Sequence, residues 1–79
     1  MNTRVGRRET IRRTLKSLRA TVGLSQLAVA ERIGIPEKAY WRIENGYDDP
    51  TPKEIDRLTK ALKVAEPSRL PWPEMAKDR

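Results

Sequence analysis

The chain has no cysteine, no histidine and no phenylalanine, and each absence excludes something. Without thiols there are no disulfides, no thiolate nucleophiles and no cysteine-based zinc sites. Without imidazole the usual neutral-pH general base is missing as well. Metal and enzyme readings have little to work with, and no cofactor is expected. Asp48 and Asp49 adjoin, but they sit in a turn with no base or nucleophile beside them, which reads as a capped, solvated turn. Long apolar runs are also missing: the longest is Leu27 to Ala30. That is far short of the roughly 20 residues that span a bilayer, or of the shorter apolar region of a signal peptide. The expectation is a soluble cytoplasmic protein with no membrane partner.

What remains is small and basic. A chain of 79 residues makes one domain, and at that size folding buries only about 60% of the surface that the unfolded chain exposes. It has room for a modest core of Leu, Ile, Val and Ala with one or two rings, and none for a separate sensor domain. The net charge is +6, and the excess is concentrated: Arg4, Arg7, Arg8, Arg12, Arg13, Lys16 and Arg19 face only Glu9 in the first nineteen residues. A positive field of this kind attracts polyanions, nucleic acid foremost, with an anionic membrane as the rival and a merely solubilising surface as the plain alternative.

Glycines and prolines divide the chain. From Glu9 to Val22, Ile11, Leu15, Leu18 and Val22 make one apolar stripe on a helix. Ser25 suits an N-cap for a second helix ending at Ile33, with Val29, Ala30 and Ile33 inward, and Gly34 stops it. Pro36 can sit in the first turn of a third helix, which Asn45-Gly46 ends. Thr51 and Glu54 form a capping box with Pro52 at the first position of a fourth helix, which carries Ile55, Leu58, Ala61 and Leu62 on one side and an Asp56–Lys60 pair outside. Beyond Glu66, prolines at 67, 71 and 73 forbid a long helix, so the end reads as an extended tail with at most a short turn near Glu74.

Two short helices about a glycine turn make a helix-turn-helix by geometry. The stretch "LRATVGLSQLAVAERIGIPEKAYWRIENGYDDP", followed by "LTKAL", resembles the helix-turn-helix domain shared by the lambda and 434 phage repressors, the Cro proteins and the Xre-type bacterial regulators, over roughly residues 12 to 64. The resemblance implies an all-α fold, a compact four- to five-helix bundle, flanked here by a basic arm (residues 1–8) and a Pro-rich tail (65–79). It implies that Gln26, with Ser25 beside it, contacts a DNA phosphate, that Asn45 lies near the backbone, and that Arg19 and Glu44 form a structural salt bridge. The chain departs from the family pattern at Leu27 and Ala28, where an acidic or polar residue is usual, and at Pro36, where a Ser or Thr cap is usual.

On the third helix, Tyr40 and Ile43 share the side that meets Val29 and Ile33, so Tyr40 is the core ring, its hydroxyl finding water or a polar partner. Glu37, Lys38, Trp41, Arg42 and Asn45 then face outward. In a major groove, Lys38 and Arg42 would donate to guanine O6 and N7, Glu37 would accept from cytosine N4, and Trp41 would pack on a thymine methyl or the sugar wall. The plainer alternatives are solvated charges for Lys38 and Arg42, a favourable helix-start charge for Glu37, and packing of Trp41 along the helix edge or on the Trp72 tail. Arg4, Arg7 and Arg8 read as an arm, mobile without DNA, that tracks phosphates or enters the minor groove.

Leu70, Trp72 and Met75 are unexpected in a tail; they either fold over the chain's own core or form a dimer or partner contact. The expected function is a sequence-specific regulator of double-stranded DNA, a repressor acting as a homodimer on a palindromic operator with half-sites about 34 Å apart, associated with a bacterial or phage-bearing nucleoid. Two further readings stay open: an antitoxin masking a toxin through Leu70, Trp72 and Met75, and the controller protein of a restriction-modification system acting through polymerase.

Overall fold

Glycine stops and side-chain caps cut the chain into short helices that must pack on one another, because none has enough apolar surface to be stable alone. The computed structural model describes residues 3–72, and side chains for residues 6–72. Its order is α1 (Thr3–Val22), α2 (Gln26–Ile33), α3 (Glu37–Glu44), α4 (Pro52–Ala61) and a 3-10 turn (Pro67–Arg69), with no strand among the described residues. α2 lies against both α3 and α4, and α1 against α3. Ile11 and Leu15 of α1, Val29, Ala30 and Ile33 of α2, Tyr40 and Ile43 of α3, and Ile55, Leu58 and Ala61 of α4 meet in one core, with Leu18, Val22, Leu24, Ile35 and Val64 at its margin.

The caps form at the expected positions. Ser25 Oγ accepts from the Ala28 N–H, and the α4 capping box pairs Thr51 Oγ1 with the Glu54 N–H and the Thr51 N–H with Glu54 Oε1. Pro36 is the N-cap residue of α3, one position earlier than the first turn, and supplies no side-chain bond. Gly46 is required twice over. Its φ is 79°, and a Cβ there would come within 2.9 Å of the Arg8 Cα, so only glycine lets α1 cross the end of α3 this closely.

One expectation is corrected and one open alternative is decided. α1 begins at Thr3, so residues 3–8 continue the helix where a mobile arm was expected. Extending a formed helix costs far less than nucleating one, and Arg7 and Arg8 gain partners on the turn after α3. The side chain of Arg4 lies outside the described residues. The decided alternative concerns the tail: of the two expectations for Leu70 and Trp72, folding over the chain's own core is the one observed, both being essentially inaccessible, so the folded unit runs on to residue 72. The 3-10 turn at Pro67–Arg69 bends the chain back over α4, which a proline-rich segment does without helical hydrogen bonds. Glu74 and Met75 lie outside the described residues.

Trp72 is the largest fully buried side chain, and its indole N–H has no acceptor among the described residues. Trp72→Ala is therefore expected to cost about 3–5 kcal/mol. Trp72→Phe, which removes the unpartnered donor along with part of the ring, should stay within about 1–2 kcal/mol of wild type in denaturant titrations. Lys63 holds a left-handed φ of 55° just past the end of α4. Lys63→Gly should raise stability by about 0.5–1 kcal/mol, read from the same titrations.

Candidate nucleic-acid interface

The outward side of α3 depends on what holds its inner side. Arg19 of α1 reaches the end of α3 and grips Glu44 side-on, with Nε to Oε1 at 2.8 Å and Nη2 to Oε2 at 3.1 Å. The Tyr40 hydroxyl donates to Oε1 at 2.8 Å, and the Gln26 amide of α2 donates to Oε2 at 3.0 Å. Arg19 Nη1 also donates to the Leu24 carbonyl in the loop between α1 and α2. An ionised carboxylate offers about four acceptor sites, and here all are used.

Glu44 is 1% exposed. Burial pushes its carboxyl upward, but the bonds from Arg19, Tyr40 and Gln26 together outweigh burial and hold it below the ordinary value of 4.5. Tyr40 is raised, by burial first and then by the Glu44 charge, so it stays a neutral donor. The Arg19 guanidinium is also raised, chiefly by its bond to Glu44.

With α3 locked by Glu44 and Tyr40, the turn Gly34-Ile35-Pro36 sets it across α2. Gly34, at φ 79°, donates its N–H to the Ala30 and Glu31 carbonyls, and Arg57 of α4 closes the Ile33 carbonyl at 3.2 Å. The helix then presents Glu37, Lys38, Trp41 and Arg42 to solvent. Gln26, Glu37, Lys38 and Trp41 line one open depression of about 380 Å³ at the start of both helices. Gln26 has one amide hydrogen on Glu44, and the second remains for another acceptor; the Ser25 hydroxyl, whose oxygen caps α2, remains a donor. Asn45 is less open: its amide donates to the Trp41 carbonyl at 2.9 Å.

Three features lie beyond the sequence reading. Trp41 does not reach the Trp72 side chain, which is enclosed in the core; it stacks on Tyr47, with centroids 5.7 Å apart and planes 18° apart. Tyr47 is 51% exposed and has the Arg8 guanidinium 4.8 Å from its ring centre. The acidic turn is not simply solvated. Asp48 pairs with Arg42, at 2.8 Å to Nε and 3.3 Å to Nη2, and Asp49 lies 3.8 Å from Arg7. Finally, Arg8, Glu9, Arg12, Asn45 and Tyr47 line a second recess, which brings Arg12 onto the same side as the α3 face, where it pairs with Glu9. Tyr47 and Asp48 fall outside any helical period, so no spacing pointed to them. The one available signal was Gly46, whose positive φ turns the chain back along α3.

Leu70 and Trp72, for which core packing and a dimer or toxin contact were both open, are inside the core because the 3-10 turn folds them there; they offer no surface to a partner. Met75 lies outside the described residues. Among the described residues no helix is long and apolar enough to cross a membrane, and no cluster of metal-binding side chains occurs.

A short helix capped by Ser25, a glycine turn, and a second helix held with its charged side outward define a helix-turn-helix DNA-binding domain. A family model described as a helix-turn-helix domain matches residues 10–72, so the chain belongs to that family, within the Xre and Cro-like group of DNA-binding regulators. No curated protein and no solved structure gives a significant match.

Because the folded-state value of Glu44 is depressed, its contribution to stability is complete above its ordinary value of 4.5. The contribution is lost as pH falls through the lower folded value. Acid melts of the wild type should show stability declining below about pH 4.5, and Glu44→Gln should flatten that part of the profile. At neutral pH, Glu44→Ala leaves Arg19 facing an empty, mostly enclosed site and should cost about 3–5 kcal/mol.

Proposed function

We propose that this protein is a sequence-specific regulator of double-stranded DNA that lays α3 in the major groove, represses by occupying a promoter, and binds a palindromic operator as a homodimer. The observation that carries the reading is the outward side of α3: Glu37, Lys38, Trp41 and Arg42 stand exposed on a helix whose inner side is locked to the core. Lys38 and Arg42 are suited to guanine, Glu37 to cytosine N4, and Trp41 to a thymine methyl. Gln26 and Ser25 at the start of α2, with Arg7 and Arg8 on α1, supply donors for phosphates on either side.

A dimer follows from arithmetic: one helix of this length reads only a few base pairs, and each good bidentate contact discriminates by about 1–3 kcal/mol. Two half-sites double the discrimination energy and so square the selectivity ratio, and two-fold symmetry sets them about 34 Å apart. The antitoxin reading is disfavoured, since two of the three side chains assigned to toxin masking, Leu70 and Trp72, are enclosed.

Selection from a random duplex library at near-physiological salt tests the proposal. A palindromic motif is expected, with Lys38→Ala and Trp41→Ala each relaxing a distinct base position symmetrically in both halves. Enrichment of no motif, with binding that vanishes as salt rises, would reduce the protein to a polyanion hook and refute sequence-specific reading.

A further inference from the structure

We propose that Asp48 is a positioning residue that aims Arg42 end-on at a guanine, with Tyr47 as the shelf beneath Arg42 and Trp41; this rests on the DNA-reading function proposed above. A guanidinium carries five N–H donors in a fixed fork. Asp48 takes the side-on pair, with Oδ2 at 2.8 Å from Nε and Oδ1 at 3.3 Å from Nη2. The end-on pair, one hydrogen from each Nη, points away from Asp48. That pair matches the O6 and N7 acceptors of guanine in the major groove.

The turn is fastened to the residue it orients. The Tyr47 and Asp48 N–H groups both donate to the Arg42 carbonyl, at 2.9 and 3.3 Å, so a shift of α3 takes Asp48 with it. The Tyr47 ring lies 5.6 Å from the Arg42 guanidinium, 4.8 Å from that of Arg8, and stacks on Trp41. A flexible arginine loses rotamer freedom when it binds a base; one already held by a carboxylate and an aromatic face loses less. Both members of the Arg42–Asp48 pair are about half exposed, and such pairs add little to folding stability. The effect of Asp48 is therefore on direction, and direction is read as base preference.

A carboxylate near phosphates also opposes DNA binding in general, which separates this role from simple attraction. The experiment is the duplex-library selection performed in parallel on the wild type, Arg42→Ala, Asp48→Asn and Asp48→Ala, with thermal melts of each. Arg42→Ala should identify the operator position that Arg42 reads. At that position both Asp48 variants should lower the guanine preference about five- to tenfold. They should melt like the wild type and bind total DNA as tightly or more tightly.

Retention of the full guanine preference in Asp48→Asn and Asp48→Ala would overturn the assignment. So would a sharper preference, because Asp48 would then be withholding Arg42, and so would an Arg42→Ala variant that relaxes no position. If the wild type itself enriches no motif, the DNA-reading function fails and this inference fails with it. A wild-type motif whose Arg42 position ignores Asp48 removes the inference alone.

Discussion

The arrangement of this domain depends on one buried carboxylate. Glu44 accepts from Arg19 on α1, Gln26 on α2 and Tyr40 on α3, so a single side chain ties α1, α2 and α3 together. An isolated buried charge is strongly unfavourable, and one of its three donors, Arg19, is a full opposite charge. Because every acceptor site is filled, small displacements of α1, α2 or α3 each break a bond to the same group. That makes the angle between α2 and α3 a property of the network, whereas the apolar core alone would tolerate a range of packings.

The network has a second effect on the exposed side. Tyr40 and Glu44 lie on the inner side of α3, which fixes the rotation of the helix about its axis and sends Glu37, Lys38, Trp41 and Arg42 outward. Gln26 belongs to both sides: its amide helps to hold Glu44, and the residue lines the depression that it shares with Glu37, Lys38 and Trp41. A domain with so little core places the outward face of α3 by polar bonds as much as by packing.

The basic half of α1 belongs to the same surface. Arg7 and Arg8 meet the turn after α3, one at Asp49 and the other over the Tyr47 ring, and Gly46 allows the close approach. The positive charge concentrated at the start of the chain is thereby carried to the end of α3. The depression at the start of α2 and α3 and the recess beside Arg12 are joined through the Trp41–Tyr47 stack.

Much of this was legible in the residues, for local reasons. Caps act within one turn of backbone, so Ser25 and Gly34 announced both ends of α2, and Thr51 and Glu54 the start of α4, without reference to the rest of the chain. Apolar spacing likewise assigned Val29, Ile33, Tyr40 and Ile43 to the core and turned Trp41 outward, since a helix imposes its period on any sequence that forms it. What the tertiary structure decided were contacts between segments that no period relates: Trp41 on Tyr47, Arg8 over the same ring, Asp48 beside Arg42, and Leu70 and Trp72 folded into the core. Each depends on where a turn delivers a side chain in space. The direction a chain takes after Gly46 or Pro67 is set by the packing of the helices it joins.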